Sequence, residues 1–205
     1  MKKNNPVLDA QREHWERMLG QKPEMFGLAP SAAAYKAAEI FAREGSGRIL
    51  ELGAGQGRDT VLFAEKEFAI VALDYAQSGL RSIRQKSQAS SHSQSVHVLR
   101  HDVRDPLSFR DESFDACYSH MLYCMALKLK ELEFISAEIW RVLRPGGINI
   151  YNRKEYGGLG LRKGYPSRRG SIRGGRLHCA IFQPRKSVAP CERLGNLGNR
   201  LVRGR

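Results

Sequence analysis

A cluster of glycines stands where a short apolar stretch gives way to a helical one. Glu51-Leu52-Gly53-Ala54-Gly55-Gln56-Gly57 follows Arg48-Ile-Leu-Glu-Leu52, and a helix is expected from Arg58 to Lys66. Glycines in that context let a ligand touch the backbone and let helix and strand pack closely. A dinucleotide loop would carry its third glycine three residues after the second, whereas here Gly57 follows Gly55 by two and Arg58 holds that position. Glu51, just ahead of the loop, would repel a phosphate but can accept hydrogen bonds from an ammonium group. Asp74 ends the next apolar run, where a carboxylate can accept both hydroxyls of a ribose. These features together describe a nucleoside joined to an amino acid.

The surrounding pattern fixes the architecture. Leu8 to Leu19 has helical periodicity with Gly20 as a stop, and Pro30-Ser31 caps an Ala-rich helix reaching about Arg43. Strands are expected at 48–52, 69–73, 96–100, 114–118 and 148–151. Helices are expected at 77–88 and 129–143, and a turn at Arg144-Pro145-Gly146-Gly147. Strands alternating with helices at this spacing predict an α/β, doubly wound, mostly parallel Rossmann-like sheet with helices on both faces.

The segment resembles the class I S-adenosylmethionine-dependent methyltransferases, in their small-molecule, Rossmann-like branch, over about residues 25–156. Glu51 to Gly57 resembles the first motif, Ala72-Leu-Asp74-Tyr75 the ribose-binding acidic loop, and His101-Asp102-Val103 the adenine-binding turn. Asp115 to His120 resembles the fourth motif, and Val142 to Gly147 the turn before strand five. The resemblance implies S-adenosyl-L-methionine as cofactor, held by Glu51, Gly53, Ala54, Gly55, Gly57, Asp74, Tyr75, Asp102, Val103 and Ser119. It implies a small-molecule acceptor and in-line methyl transfer. His120 is the candidate general base, with packing beside the cofactor as the alternative. Trp15 and Tyr35 are read either as lid residues or as core. His92, His97 and His101 lack partners at ligand spacing, and no metal site is assigned.

Charge divides the chain. Residues 1–156 hold 22 Lys and Arg against 20 Asp and Glu, while 157–205 hold 12 against Glu192 alone, with half of the 20 glycines. The expected organisation is a helical lid at 1–30, a cofactor-binding core at 31–156 and a basic tail at 157–205. For the tail, disorder, a frame-shifted segment and an RNA-binding arm are all open, and only Leu177 to Phe182 could form a strand. Without the family's edge strands, strand five would be exposed to pairing between two copies. The rival functional reading is a non-catalytic binding module that contacts nucleic acid through this tail. No apolar run approaches the roughly 20 residues that a spanning helix requires, and Asp9, Arg12 and Glu13 fall where a secretory signal would be apolar, so a cytoplasmic protein is expected. Cys117, Cys124, Cys179 and Cys191 form no C-x-x-C pair and are read as reduced thiols.

Overall fold

The computed structural model describes residues 5–89, 93–153 and 176–181. Five helices, α1 (Pro6–Gln21), α2 (Ala32–Arg43), α3 (Arg58–Glu65), α4 (Gln77–Gln88) and α5 (Leu129–Val142), surround one sheet. Its strands are β1 (Arg48–Leu52), β2 (Ala69–Asp74), β3 (Val96–Arg100), β4 (Phe114–His120), β5 (Leu143–Arg153) and β6 (Arg176–Ile181). The spatial order is β3-β2-β1-β4-β5-β6, with β1 to β5 parallel and β6 antiparallel to β5. The fold is the α/β Rossmann-like arrangement expected from the alternation of apolar runs and helices. The order reverses between β1 and β4, so a crevice opens beyond the carboxyl ends of those two strands.

The period of two along each strand sorts side chains onto two cores. Ile49, Ile70, Ala72, Ala116, Tyr118, Ile148 and Ile150 pack against α2, α3 and α4, where Phe41, Phe63 and Phe68 form an aromatic cluster. Leu50, Leu52, Val71, Leu73 and Cys117 face the α5 side with Ile135, Ile139 and Val142. Phe63 is fully buried and meets Tyr118 edge-on at 4.9 Å. Removing that ring would cost about 3–5 kcal/mol.

Three expectations are corrected. Gly20 does not end α1, which runs on to Gln21, because that glycine marks a close approach to α4. A Cβ there would sit 3.4 Å from the Ser78 Cβ. The expected turn at 144–147 lies within β5, which already pairs Leu143 with Phe114. The register then shifts before Ala116 meets Ile148, and Gly146 at φ 81° absorbs the irregularity. The edge of β5 is not open either, since Ile148 to Arg153 pair with Ile181 to Arg176 of β6. The exposed edge invoked for pairing of two copies is thus covered, by a strand at the place in the tail, Leu177 to Phe182, where the sequence allowed one. The remaining tail expectations lie outside the described residues.

Helix α1 lies across the sheet's carboxyl end and is tied down at several points. The Asn5 side chain accepts from Leu8 N–H and donates to the Ala126 carbonyl and the Glu131 carboxylate. The Glu16 carboxylate accepts the Gln77 and Ser78 N–H groups, satisfying the first turn of α4. Arg104 donates to both Asp9 and Asp102. At α2 the expected cap holds: the Ser31 hydroxyl accepts from Ala34 N–H. No helix among the described residues is long and apolar enough to cross a membrane.

Candidate active site

The glycine loop is built by backbone geometry. Gly53, Gly55 and Gly57 have φ values of 74°, 56° and 80°, in the left-handed region that side chains resist. The Gly53 and Ala54 N–H groups donate to the Leu73 carbonyl, pinning the loop to the end of β2. Two close approaches decide its packing. A Cβ on Gly57 would lie 2.5 Å from the Ile83 Cγ1, and one on Gly79 would lie 2.3 Å from the Gly55 carbonyl oxygen. A Cβ on Gly55 would meet nothing within 4 Å, because that residue faces an open cavity.

The cavity holds about 190 Å³ and lies at the topological switch point. Glu51, Gly53, Ala54, Gly55, Gly57, Asp74, Tyr75, Val103 and His120 line it, as the sequence pattern anticipated. Ser119 and Asp102 do not. Alternation is the reason for Ser119: it shares the face of Cys117, toward α5, and is fully buried, while His120 shares the face of Tyr118 and reaches the cavity. In the turn after β3, His101 and Val103 line the cavity. The intervening Asp102 is engaged by Arg104 and borders a small adjoining recess of about 10 Å³. Trp15 lines the cavity and stacks 6.0 Å from Phe26, whereas Tyr35 is 47% exposed on α2 and takes no part.

Electrostatics separates the acids. Glu51 is buried and accepts the Thr60 hydroxyl at 2.6 Å, and burial pushes its carboxyl from 4.5 up to about 8, with the charges of Asp59 and Asp74 adding to the rise. Asp74 is also raised by burial, although its Oδ2 accepts Gly55 N–H and its Oδ1 accepts Ala76 N–H, each at 2.8 Å. Asp59 goes the other way. Burial opposes its charge, but hydrogen bonds from His120 and from the Ser31 backbone and hydroxyl hold it below the usual carboxylate range.

Sequence reasoning missed several lining residues. Arg58 and Asp59 begin α3. The Arg58 guanidinium donates to the Phe26 carbonyl, lies 5.9 Å from the Phe26 ring centre and comes within 3.5 Å of the His120 Nδ1. The Asp59 Oδ2 accepts from the Tyr118 hydroxyl at 3.1 Å and pairs with His120 Nδ1 at 3.2 Å. Gln56 donates to the Leu19 and Lys22 carbonyls and accepts Met25 N–H, fastening the end of α1 over the glycine loop. Met121, Leu122 and Met125 supply an apolar wall after β4. The signal for Arg58 and Asp59 was their place in the first turn after the glycine loop. Met121 follows His120 at the carboxyl end of β4, where the sequence itself places the edge of the site, whereas for Leu122 and Met125 no local pattern exists.

Residues 49–147 match the model of a family described as a methyltransferase domain. That stretch runs from β1 through the glycine loop into β5, so the part of the chain that builds the cavity is similar to a methyltransferase domain. The chain is 33% identical over 109 residues to YqeM of Bacillus subtilis, provisionally named a methyltransferase, covering 52% of this chain and 42% of that protein. It is 30% identical over 138 residues to phosphoethanolamine N-methyltransferase 1 of Arabidopsis thaliana, 66% of this chain and 27% of that one. Among solved structures, phosphoethanolamine N-methyltransferase 1 of Haemonchus contortus superposes with a TM-score of 0.57 at 16% identity, over 86% of this chain and 38% of that one. At that identity the likeness concerns the fold. The chain spans about half or less of the length of the curated relatives it matches.

Proposed function

We propose that the cavity binds S-adenosyl-L-methionine and that the chain transfers a methyl group to a small-molecule acceptor. The observation that carries this reading is the convergence on one cavity of an open left-handed Gly55, a buried Glu51 carboxyl and the Asp74 carboxylate. The donor set fits such a ligand. The Asp74 carboxylate accepts the Gly55 and Ala76 N–H groups and a further backbone hydrogen bond from Tyr75, and its remaining acceptor capacity serves the ribose. Glu51 accepts hydrogen bonds from the amino-acid end, and an arriving ammonium favours its charged form. Tyr75, Val103 and His101 line the same cavity and give the base an apolar and polar edge.

When bound, S-adenosylmethionine supplies a methyl group already activated on a sulfonium, so the chain's task is alignment and exclusion of water. Trp15 and Phe26 cover the opening, and Gln56 fixes the segment that carries them. His120 stands at the end of β4 as the group able to take a proton from an amine or hydroxyl acceptor. The acceptor end lies among Arg58, His120, Phe26 and Met121. Isothermal titration with S-adenosylmethionine and S-adenosylhomocysteine tests the reading. Micromolar binding of both is the expected result, and heat at the level of a ligand-free blank overturns it.

A further inference from the structure

Among the described residues His120 is the one imidazole of the cavity that pairs with a carboxylate, and the surroundings of that carboxylate explain the pairing. Asp59 is 4% exposed and is held by four groups besides the imidazole. Its Oδ1 accepts Ser31 N–H at 2.8 Å, its Oδ2 accepts the Ser31 hydroxyl at 2.8 Å and the Tyr118 hydroxyl at 3.1 Å, and the Arg58 Nε stands 3.6 Å away. A carboxylate so surrounded cannot swing away when His120 changes charge. Three segments distant in sequence supply this setting: the cap of α2, the first turn of α3 and the body of β4.

We infer that Asp59 is a positioning residue for His120, holding its Nδ1–H so that Nε2 presents a free lone pair to an acceptor carrying a proton, an amine or a hydroxyl. The inference rests on the methyl-transfer reading above and adds the group that makes His120 a base. The competing arrangement is visible in the same place, since the Arg58 guanidinium lies 3.5 Å from Nδ1 and would, as donor, put the proton on Nε2. The carboxylate is nearer at 3.2 Å, and its charge favours the Nδ1–H form. The charged and titratable groups facing the ring are Asp59 and Arg58 from α3 and Tyr118 from its own strand.

In the step this serves, the acceptor's proton passes to Nε2 while its lone pair forms the bond to the methyl carbon. The carbon–sulfur pair remains on sulfur, and the imidazolium is balanced by Asp59. An acceptor ionised beforehand, such as a free carboxylate, would have no use for the pair. In this step Asp59 acts through the imidazole and exchanges no proton with the acceptor, which separates its role from that of His120.

The test is nitrogen NMR of the full chain labelled with ¹⁵N-histidine, the His120 signals being those lost in His120→Gln. The expected wild-type spectrum shows neutral His120 protonated on Nδ1 and bare at Nε2. Asp59→Asn removes that preference, and Arg58→Gln keeps it. Wild-type protonation on Nε2, an unchanged spectrum in folded Asp59→Asn, or loss of the pattern in Arg58→Gln would each overturn the assignment. The wild-type spectrum and Arg58→Gln decide it even if Asp59→Asn fails to fold. Titration of the same samples with S-adenosylmethionine reads the cofactor site separately, so failure of the positioning role and failure of the functional reading are distinguishable.

Discussion

At one end of the cavity, Glu51, Gly53, Gly55 and Asp74 come from a single stretch, 51–74, bounded by two neighbouring parallel strands. At the other, Trp15, Phe26, Arg58, Asp59 and His120 arrive from α1, the loop after it, α3 and β4. The first end is a product of local backbone rules, in which a strand end, left-handed glycines and a helix start produce a pocket wherever they occur in that order. The second is assembled by packing, and its groups satisfy one another before any ligand arrives. A change at the first end should therefore be read in cofactor affinity, and a change at the second in proton handling with affinity nearly intact.

The largest effect on affinity is expected from Gly55→Val. The position is open to the cavity and the backbone is left-handed, so a β-branched side chain both strains the loop and fills ligand space. Affinity for S-adenosylmethionine should fall at least about 100-fold, or about 2.7 kcal/mol, by calorimetric titration of a folded variant. Near-native affinity would break the local account. Gly57→Val is the contrasting change, because its side chain would strike Ile83 rather than ligand. Its cost, about 1–3 kcal/mol or more, should appear as a lower melting temperature without ligand.

Asp74→Ala comes next. It removes a carboxylate that holds Gly55 N–H and Ala76 N–H, so cofactor affinity should weaken by about 1–3 kcal/mol. Equal affinity for variant and wild type would remove the ribose role.

Glu51→Gln sharpens the comparison through pH. With its folded carboxyl raised from 4.5 to about 8, the folded state holds a proton that the unfolded state releases. Stability is then fully present below about 4.5 and declines as pH rises toward 8, levelling off above. The glutamine variant should lack this decline and be the more stable protein at pH 8 in urea denaturation, while binding the cofactor less well. Parallel pH curves for the two proteins would refute the burial argument.

The smallest effect is expected from His120→Gln on cofactor affinity, a change within about threefold, near 0.6 kcal/mol. A loss comparable to that of Asp74→Ala would show that the two ends are not separable.

Much of this was legible in the chain. The alternation of apolar runs and helical segments placed β1 to β4 and the five α-helices within a few residues, since burial on both faces of a parallel sheet writes itself into sequence as short β-branched and leucine runs. The Ser31 cap and the glycine loop were readable because their causes lie within three or four residues. In the tail Leu177 to Phe182 was legible as a possible strand, but not its pairing with the edge of β5, which lies far away in sequence.

The sequence by itself determined the sheet's parallel character and the glycine-loop end of the cavity, as both follow from backbone conformation and side-chain period over short spans. Only the tertiary structure decided which neighbours in sequence would line the cavity: His120 and not Ser119, His101 and Val103 and not Asp102. It also brought Ser31, Asp59, Tyr118 and His120 into one hydrogen-bonded group. The physical reason is that a residue's side of the sheet depends on the register with neighbouring strands, and the partners of a buried carboxylate are set by which helices pack there. Neither is encoded within reach of the residue itself.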